Sequence, residues 1–266
     1  MDRLAIISDI HGNITALNAV LDDIASREIS RIICLGDYVT TGCNPDLVID
    51  KIREKCEIAL LGNCDDVIAH PDNTHKKFWS AKKIGPERAN YLHNLPVSTE
   101  FYMSGRLIRL FHASPKGLSN IFNPMFSNEN TIYSGTEIHS PWEMFENTEF
   151  IGKTPNDPIP DIVGYGHIHT PNIVRFANKM LFNPGSVGVP VEMLNPGDIN
   201  DKTNRFSTLS SYIILEGTYG SKELSSFSIN LVRIPYDIEK EIAYLEASDM
   251  PFRKKVIKEL RTACSL

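Results

Sequence analysis

The chain has no C-x-x-C pair and an odd number of cysteines, five in 266 residues: Cys34, Cys43, Cys56, Cys64 and Cys264. Neither a disulfide framework nor a cysteine zinc site is therefore expected. No apolar stretch is long enough to span a membrane. Leu4-Ala5-Ile6-Ile7 is too short for the apolar region of a signal peptide and runs straight into Asp9. A cytoplasmic location with no membrane partner is the expectation. Positive charge is also scarce: 27 Lys and Arg against 33 Asp and Glu leave a formal net charge of −6. Long nucleic acid, which needs a basic stripe, is thus not an expected partner. A small phosphate substrate is compatible with an acidic chain, because bound cations reverse the local field. No internal repeat, low-complexity tract or nucleophilic serine or cysteine motif is visible.

What remains is an ordinary globular composition, 42% hydrophobic and 23% charged, able to bury a core of normal size. Residues 3–9 read as a buried strand. A helix over 14–25 follows, with Ile14, Leu17, Val20, Leu21 and Ile24 on one face and Asn13 as N-cap. Ile32 to Leu35 and Ile58 to Leu61 are further buried strands, and Pro45 to about Glu54 a second helix. Short apolar strands alternating with helices pair in parallel. Residues 65–95 read as helical pieces broken at His70-Pro71 and Gly85-Pro86. Strands at about 98–103 and 107–112 flank the turn Ser104-Gly105. Another strand runs from Ile162 to Tyr165, and a hairpin over 172–182 turns about Ala177-Asn178-Lys179. Late strands are expected at 209–215 and 226–234. Terminal helices over 237–263 break near Pro251. The segment 115–160, rich in Asn, Ser, Pro and Gly, is long for a connection. The pattern is a βαβαβ half and a hairpin-rich half, hence two sheets with helices outside.

The chemistry gathers at strand ends. Asp9-x-His11 follows the first strand, Gly36-Asp37 the second and Gly62-Asn63-Cys64-Asp65 the third. His112 follows Leu110-Phe111, and Gly166-His167-Ile168-His169 follows Tyr165. Side chains two apart on extended backbone point the same way, so Asp9 with His11, and His167 with His169, can each reach one ion. Ligands of parallel sheets bind beyond the carboxyl ends of the strands. Carboxylate plus imidazole suits Mn, Fe, Zn or Ni better than Ca or Mg. Four of the eight histidines fall in these motifs. The rest, His70, His75, His93 and His139, read as surface residues.

This series resembles the calcineurin-like metallophosphoesterase superfamily. Asn183-Pro184-Gly185-Ser186-Val187-Gly188 adds a match to its small bacterial branch of phosphodiesterases. The resemblance implies an α/β fold, a four-layer αββα sandwich of two mixed sheets flanked by helices. One domain over 1–266 is expected, with an insertion or lid at about 115–160 and a strand-helix extension at about 205–266, segments that the resemblance does not cover. The resemblance implies two transition-metal ions, manganese first, with iron, zinc or nickel as alternatives. Asp9, His11 and His169 hold one ion, Asn63, His112 and His167 the other, and Asp37 bridges them. Two cations roughly 3.5–4 Å apart share a hydroxide that attacks phosphorus in line with the leaving oxygen. The implied activity is hydrolysis of phosphodiester or phosphoanhydride bonds in small nucleotide-like substrates. Oligomeric state stays open, a homodimer being one option.

Cys64 departs from the pattern, since relatives usually place there a histidine that assists the leaving oxygen. A thiol, with a reference pKa of about 8.5, is a weak hydrogen-bond donor. Acidic leaving groups are therefore expected, with dinucleoside polyphosphates such as diadenosine tetraphosphate a candidate; the alternative is that Cys64 has no role. Asn63, Cys64 and Asp65 are the catalytic candidates, Asp65 by orienting a histidine ligand. Gly12 and Asn13, at a helix start, are candidates to offer N–H or amide groups to phosphate; Tyr38 is a candidate to stack on a base or line the pocket, or equally to pack its turn. Lys116 is a weaker phosphate candidate. Phe122, Phe126, Tyr133, Trp142 and Phe145 either stack on a base or form a local core. His139 is a candidate acid, and Arg253-Lys254-Lys255 reads as an exposed face. A phosphomonoesterase or protein phosphatase is the runner-up. The latter usually shows G-D-x-V-D-R-G with G-N-H-E, against Gly36-Asp37-Tyr38-Val39-Thr40-Thr41-Gly42 and Gly62-Asn63-Cys64-Asp65 here. A non-catalytic metal-binding scaffold is the third reading.

Overall fold

The computed structural model describes residues 1–70, 78–122, 124, 138–192 and 205–263. For Arg205 and Phe206 it describes the backbone. His75, Phe126, Tyr133 and Cys264, together with parts of the 115–160 and 190–205 segments, lie outside the described residues.

Apolar runs at the start of the chain become strands buried on both faces. β1 (Asp2–Ile7) pairs in parallel with β2 (Arg31–Cys34), and β2 with β3 (Ile58–Ala59). Between them run α1 (Ile14–Ser26) and α2 (Pro45–Lys55). α1 begins where Asn13 accepts a hydrogen bond from the Ala16 N–H, as its N-cap position predicts. α3 (Asn63–Ala69) and α4 (Trp79–His93) follow, α4 kinked where Gly85 takes φ 72° before Pro86. Side chains alternate across β1. Ala5 and Ile7 pack against the helices with Leu17, Val20 and Ile49. Leu4 and Ile6 face the interior between the sheets.

The second sheet has the order β4-β5-β6-β8-β7. β4 (Ser98–Met103) and β5 (Arg106–Phe111) form a hairpin on Ser104 (φ 51°) and Gly105 (φ 78°), both left-handed as a tight hairpin turn requires. β6 (Ile162–Gly164) adds in parallel, and the hairpin β7 (Asn172–Phe176) with β8 (Lys179–Asn183) completes the sheet. Ile108, Leu110 and Phe182 meet the first sheet in the middle layer. Phe111, Val163 and Tyr165 pack outward on Met144 and Phe145, which belong to a 3₁₀ helix over Pro141–Phe145. The expected layering holds: helix, sheet, sheet, helix, the outermost cover here being 3₁₀ turns.

The chain then returns. Short strands β9 (Val191–Glu192) and β10 (Arg205–Phe206) pair with each other. β11 (Leu209–Gly217) and β12 (Ser228–Pro235) join the first sheet, giving the order β12-β11-β1-β2-β3. β11 lies antiparallel against β1, with Leu4 opposite Leu215. The late strands therefore belong to the same sheet as the βαβαβ half, and both ends of the chain build it. α5 (Ile238–Ala247) and α6 (Arg253–Thr262) close the chain, and no described helix is long and apolar enough to cross a membrane. Arg253, Lys254 and Lys255 lie on the solvent side of α6 or partly so, as read from sequence.

Several candidates from the 115–160 segment resolve into packing. Phe122 and Phe145 are buried in the outer core, and Trp142 sets its ring edge-on to Phe176 at 4.8 Å. Lys116 is tied to Glu143 at 2.7 Å and Glu146 at 3.2 Å. The fully buried Arg109 on β5 anchors this cover: it reaches Glu100 at 2.6 Å, the Glu146 carbonyl at 2.8 Å and the Asn147 side chain at 2.6 Å. Lys153 pairs with the same Glu100. Removing one partner of a buried ion pair leaves the other charge uncompensated. Arg109→Ala should lower stability by about 3 kcal/mol and raise amide exchange selectively over residues 141–151. Exchange unchanged in that segment would show that Arg109 is not its anchor.

Candidate metal centre

The seven expected ligands converge just past the strand ends, six in loops and Asn63 at the start of α3. Asp9, His11 and His169 bring one ligand atom each within 4.8 Å of one another, and so do Asp37, His112 and His167. Asp37 Oδ2 stands between the groups, 3.7 Å from His11 Nε2 and 3.5 Å from His112 Nε2. Asn63 Oδ1 is 2.9 Å from His112 Nε2. A third cluster, His11, Asp37 and Cys64, shares the same space.

The local backbone differs from the extended geometry expected of the two-apart pairs. Asp9 (φ 56°), His11 (49°), Asp37 (59°), His167 (69°) and His169 (59°) are all left-handed. β1 ends at Ile7 and β6 at Gly164, so both pairs sit in turns beyond the pleat. Convergence comes from successive left-handed turns, a conformation that Asp and His tolerate better than most side chains. Each such residue costs about 1–3 kcal/mol and persists where surrounding structure over-determines it.

Backbone carbonyls set the imidazoles. His11 Nδ1 is 3.1 Å from the Val39 carbonyl, His112 Nδ1 3.1 Å from that of Leu35, and His169 Nδ1 2.9 Å from that of Val189. A proton on each Nδ1 satisfies these acceptors and leaves each Nε2 with a lone pair facing the site. The consequence is unusual. His11 Nε2 and His169 Nε2 then face each other at 3.0 Å, lone pair to lone pair. Asp9 Oδ1 is fully buried with no hydrogen-bond partner, 3.8 Å and 3.4 Å from those two nitrogens. A cation among these atoms would turn the repulsion into ligation, so the donor set fits a metal.

Burial and neighbouring charges shift these groups in both directions. Burial alone would raise Asp9, but His169 and the other imidazoles outweigh it and hold its carboxyl well below the usual range. Burial, then the neighbouring His112, lowers His167 to about 4, so its ring is neutral at pH 7. His11 is lowered by burial and by His169, while Asp9 raises His169 against its own burial.

The loops are tied to one another. The Asp9 N–H donates to the Gly36 carbonyl and the Gly12 N–H to that of Tyr38; Ser186 Oγ donates to the Asp9 carbonyl at 2.6 Å. The Asn183 amide donates to the Gly166 carbonyl at 2.7 Å. Two motif glycines are required by contact: a Cβ on Gly62 would lie 2.2 Å from Asp37 Oδ1, and one on Gly188 would lie 1.8 Å from the Ile10 carbonyl oxygen.

Four residues expected at the chemistry have other work in the fold. Asp65 does not orient a histidine. Its buried carboxyl accepts the N–H groups of Asp37 at 2.7 Å, Tyr38 at 2.9 Å and Gly62 at 3.1 Å, and so fixes the Asp37 loop. Burial and the nearby Asp37 push its pKa up against those donors. Tyr38 is fully buried and donates its hydroxyl to the Leu60 carbonyl, so its ring cannot stack on a base. The Asn13 amide is spent on the Gly188 carbonyl and its oxygen on the α1 cap. The Gly12 N–H is spent on Tyr38, and neither is offered to phosphate. Of the remaining candidates, His139 is exposed, with its backbone N–H on Glu143. Cys64 is half-buried; its N–H donates to Asp37 Oδ1 at 2.9 Å, and its Sγ lies 3.7 Å from Asn63 Nδ2. The carbonyl partners of the histidines carry no sequence signal of their own, whereas Ser186 lies in the Asn183–Gly188 motif.

Comparison with known proteins adds the family. The uncharacterised protein MJ0912 of Methanocaldococcus jannaschii is 28% identical over 259 residues, 93% of each chain. A metallophosphoesterase from Sphaerobacter thermophilus has the same fold at TM-score 0.65, with 21% identity over 98% of this chain and 99% of that one. The hypothetical protein PH1004 from Pyrococcus horikoshii OT3 matches at TM-score 0.67, with 18% identity over 98% of both. The calcineurin-like phosphoesterase superfamily domain matches residues 3–216, from β1 through β11 and so across every motif of the site. The chain therefore belongs to the calcineurin-like phosphoesterase superfamily.

Proposed function

We propose that the protein is a dinuclear-metal-dependent hydrolase of phosphodiester or phosphoanhydride bonds in small nucleotide-like substrates, acting in the cytoplasm. The observation that carries this is the approach of His11 Nε2 to His169 Nε2 at 3.0 Å beside the unpartnered Asp9 Oδ1. Asp9, His11 and His169 would hold one ion, Asn63, His112 and His167 the other, with Asp37 between. Manganese is our first assignment, and iron, zinc or nickel suit the same donors. When bound, such a pair supplies an activated water nucleophile and clamps the phosphoryl oxygens.

The protein's own residues do the positioning. Val39, Leu35 and Val189 carbonyls hold three rings with Nε2 inward. Asp65 keeps the Asp37 loop closed. Cys64 stands where a leaving oxygen would need a proton. Burial, then the neighbouring Asp37, pushes its thiol well above the ordinary range. A thiol donates weakly, which favours acidic leaving groups: phenolates, nucleoside phosphates, a phosphate from an anhydride. Diadenosine tetraphosphate is the first natural candidate.

Manganese at a hundred times its Kd should stabilise the protein by about 2.7 kcal/mol, read as a rise in Tm, and should support turnover of bis-p-nitrophenyl phosphate. Asp9→Asn should lose both, with kcat/KM falling at least about 100-fold, since even partners of metal ligands cost 10–100-fold. An Asp9→Asn protein that keeps the full manganese shift would remove Asp9 from the ligand set.

Rate against leaving-group pKa across a series of diesters should fall steeply for the wild type. Cys64→His should flatten that slope by supplying a better donor. A flat wild-type dependence, or full activity on alkyl diesters, would defeat the assignment to Cys64.

A further inference from the structure

Glu241 on α5 is a buried acid that neither the core nor the metal centre uses fully. It is 1% exposed. Its Oε2 accepts the Thr15 N–H at 3.3 Å in the first turn of α1, a place where a carboxylate is favoured. That accounts for one oxygen. Oε1 has no hydrogen-bond partner, and neither has the Thr15 hydroxyl. Buried polar atoms left unpaired are rare and call for a partner. Burial pushes the Glu241 carboxyl above the ordinary glutamate range, against the pull of Thr15.

Glu241 lines a cavity next to the metal centre. His11, Asn13, Tyr236, Leu245, Val256 and Leu260 also line it. His11 belongs to the proposed ligand set and also lines the cavity, so the two spaces share a wall. The cavity volume is 40 Å³, room for about three water-sized groups. A nucleobase is far larger. The hydroxyl-bearing edge of a sugar or polyol is of the right size and chemistry: small, mostly apolar at carbon, with donors for a carboxyl oxygen. α6 forms part of the cover. It has no fully buried residue and enters through the left-handed Phe252 (φ 64°).

We propose that this cavity receives the vicinal hydroxyls of the substrate, with Glu241 Oε1 as their hydrogen-bond partner. The ribose of a nucleotide and the glycerol of a polyol phosphoester present the same diol. The proposal rests on the phosphoesterase reading above, because it takes the phosphate to lie at the metal centre. The competing role for Glu241 is to complete the N-terminus of α1 and nothing more.

Calorimetric titration of the manganese-loaded full chain decides between them. The ligands are AMP against 2′,3′-dideoxy-AMP, and glycerol 3-phosphate against propyl phosphate. A diol bonded to a buried carboxyl should tighten binding at least about tenfold within its pair. The first pair responding assigns ribose, and the second alone assigns glycerol. In Glu241→Gln the single amide oxygen is taken by the Thr15 N–H, which leaves an NH₂ for the cavity. The diol preference should then fall clearly below the wild-type ratio, because a donor replaces the acceptor oxygen, with Tm little changed. Equal binding within both wild-type pairs would overturn the proposal without recourse to any variant. So would a ratio left unchanged by Glu241→Gln, since a purely structural Glu241 does not set that ratio. Turnover of bis-p-nitrophenyl phosphate is measured alongside. Its absence would overturn the hydrolase reading, while the binding ratios still decide the cavity.

Discussion

Lone pairs that face one another across a few ångströms are the constraint around which this molecule is arranged. His11 Nε2 and His169 Nε2 meet at 3.0 Å, and His112 Nε2 meets Asn63 Oδ1 at 2.9 Å. Left alone, such groups would rotate apart or find other donors. They are prevented from doing so at the opposite end of each ring, where carbonyls of Val39, Leu35 and Val189 hold Nδ1. Those carbonyls lie in loops that belong to other strands. Each ligand is thus oriented by a neighbour's loop, and the site exists only when all loops are in place.

Holding five ligands in left-handed backbone is unfavourable locally. Rigid surroundings offset it. The first sheet is buried on both faces, by helices on one side and by the second sheet on the other. Parallel pairing of β1, β2 and β3 brings their carboxyl ends to one edge, and β5 and β6 bring theirs beside it. Asp65 shows how much of this is backbone accounting. Its carboxyl gathers N–H groups from Gly62, Asp37 and Tyr38 that would otherwise be orphaned in a buried turn.

Specificity lies outside this frame. Cys64 shares a cluster with His11 and Asp37 yet adds only a weak donor. Glu241, on α5, lines the cavity that His11 also lines. In the function proposed above, the candidate ligands would serve any phosphoester, while Cys64 and Glu241 would bear on which ester fits and how readily its leaving group departs.

Much of this is legible in one dimension. Apolar runs ending in Asp-x-His or His-x-His mark strand termini, because burial selects the run and the polar pair cannot continue it. Asn13 as a cap, the Ser104-Gly105 turn and the break at Gly85-Pro86 follow from rules spanning a few residues, and each stands in the structure. The seven ligand candidates follow from the same local logic together with the family resemblance. What local rules cannot reach is contact between distant segments. Tyr38 reads as a candidate to stack on a base, but the Leu60 carbonyl and the first core claim it. Gly12 and Asn13 read as phosphate donors until Tyr38 and Gly188 take those donors. β11 lies beside β1 although more than half the chain separates them, and Glu241 meets Thr15 in the same way. Residue type and spacing are enough to say which side chains could bind a metal. Which lone pairs stay free to do so depends on tertiary contacts, because every competing hydrogen-bond partner comes from another part of the chain.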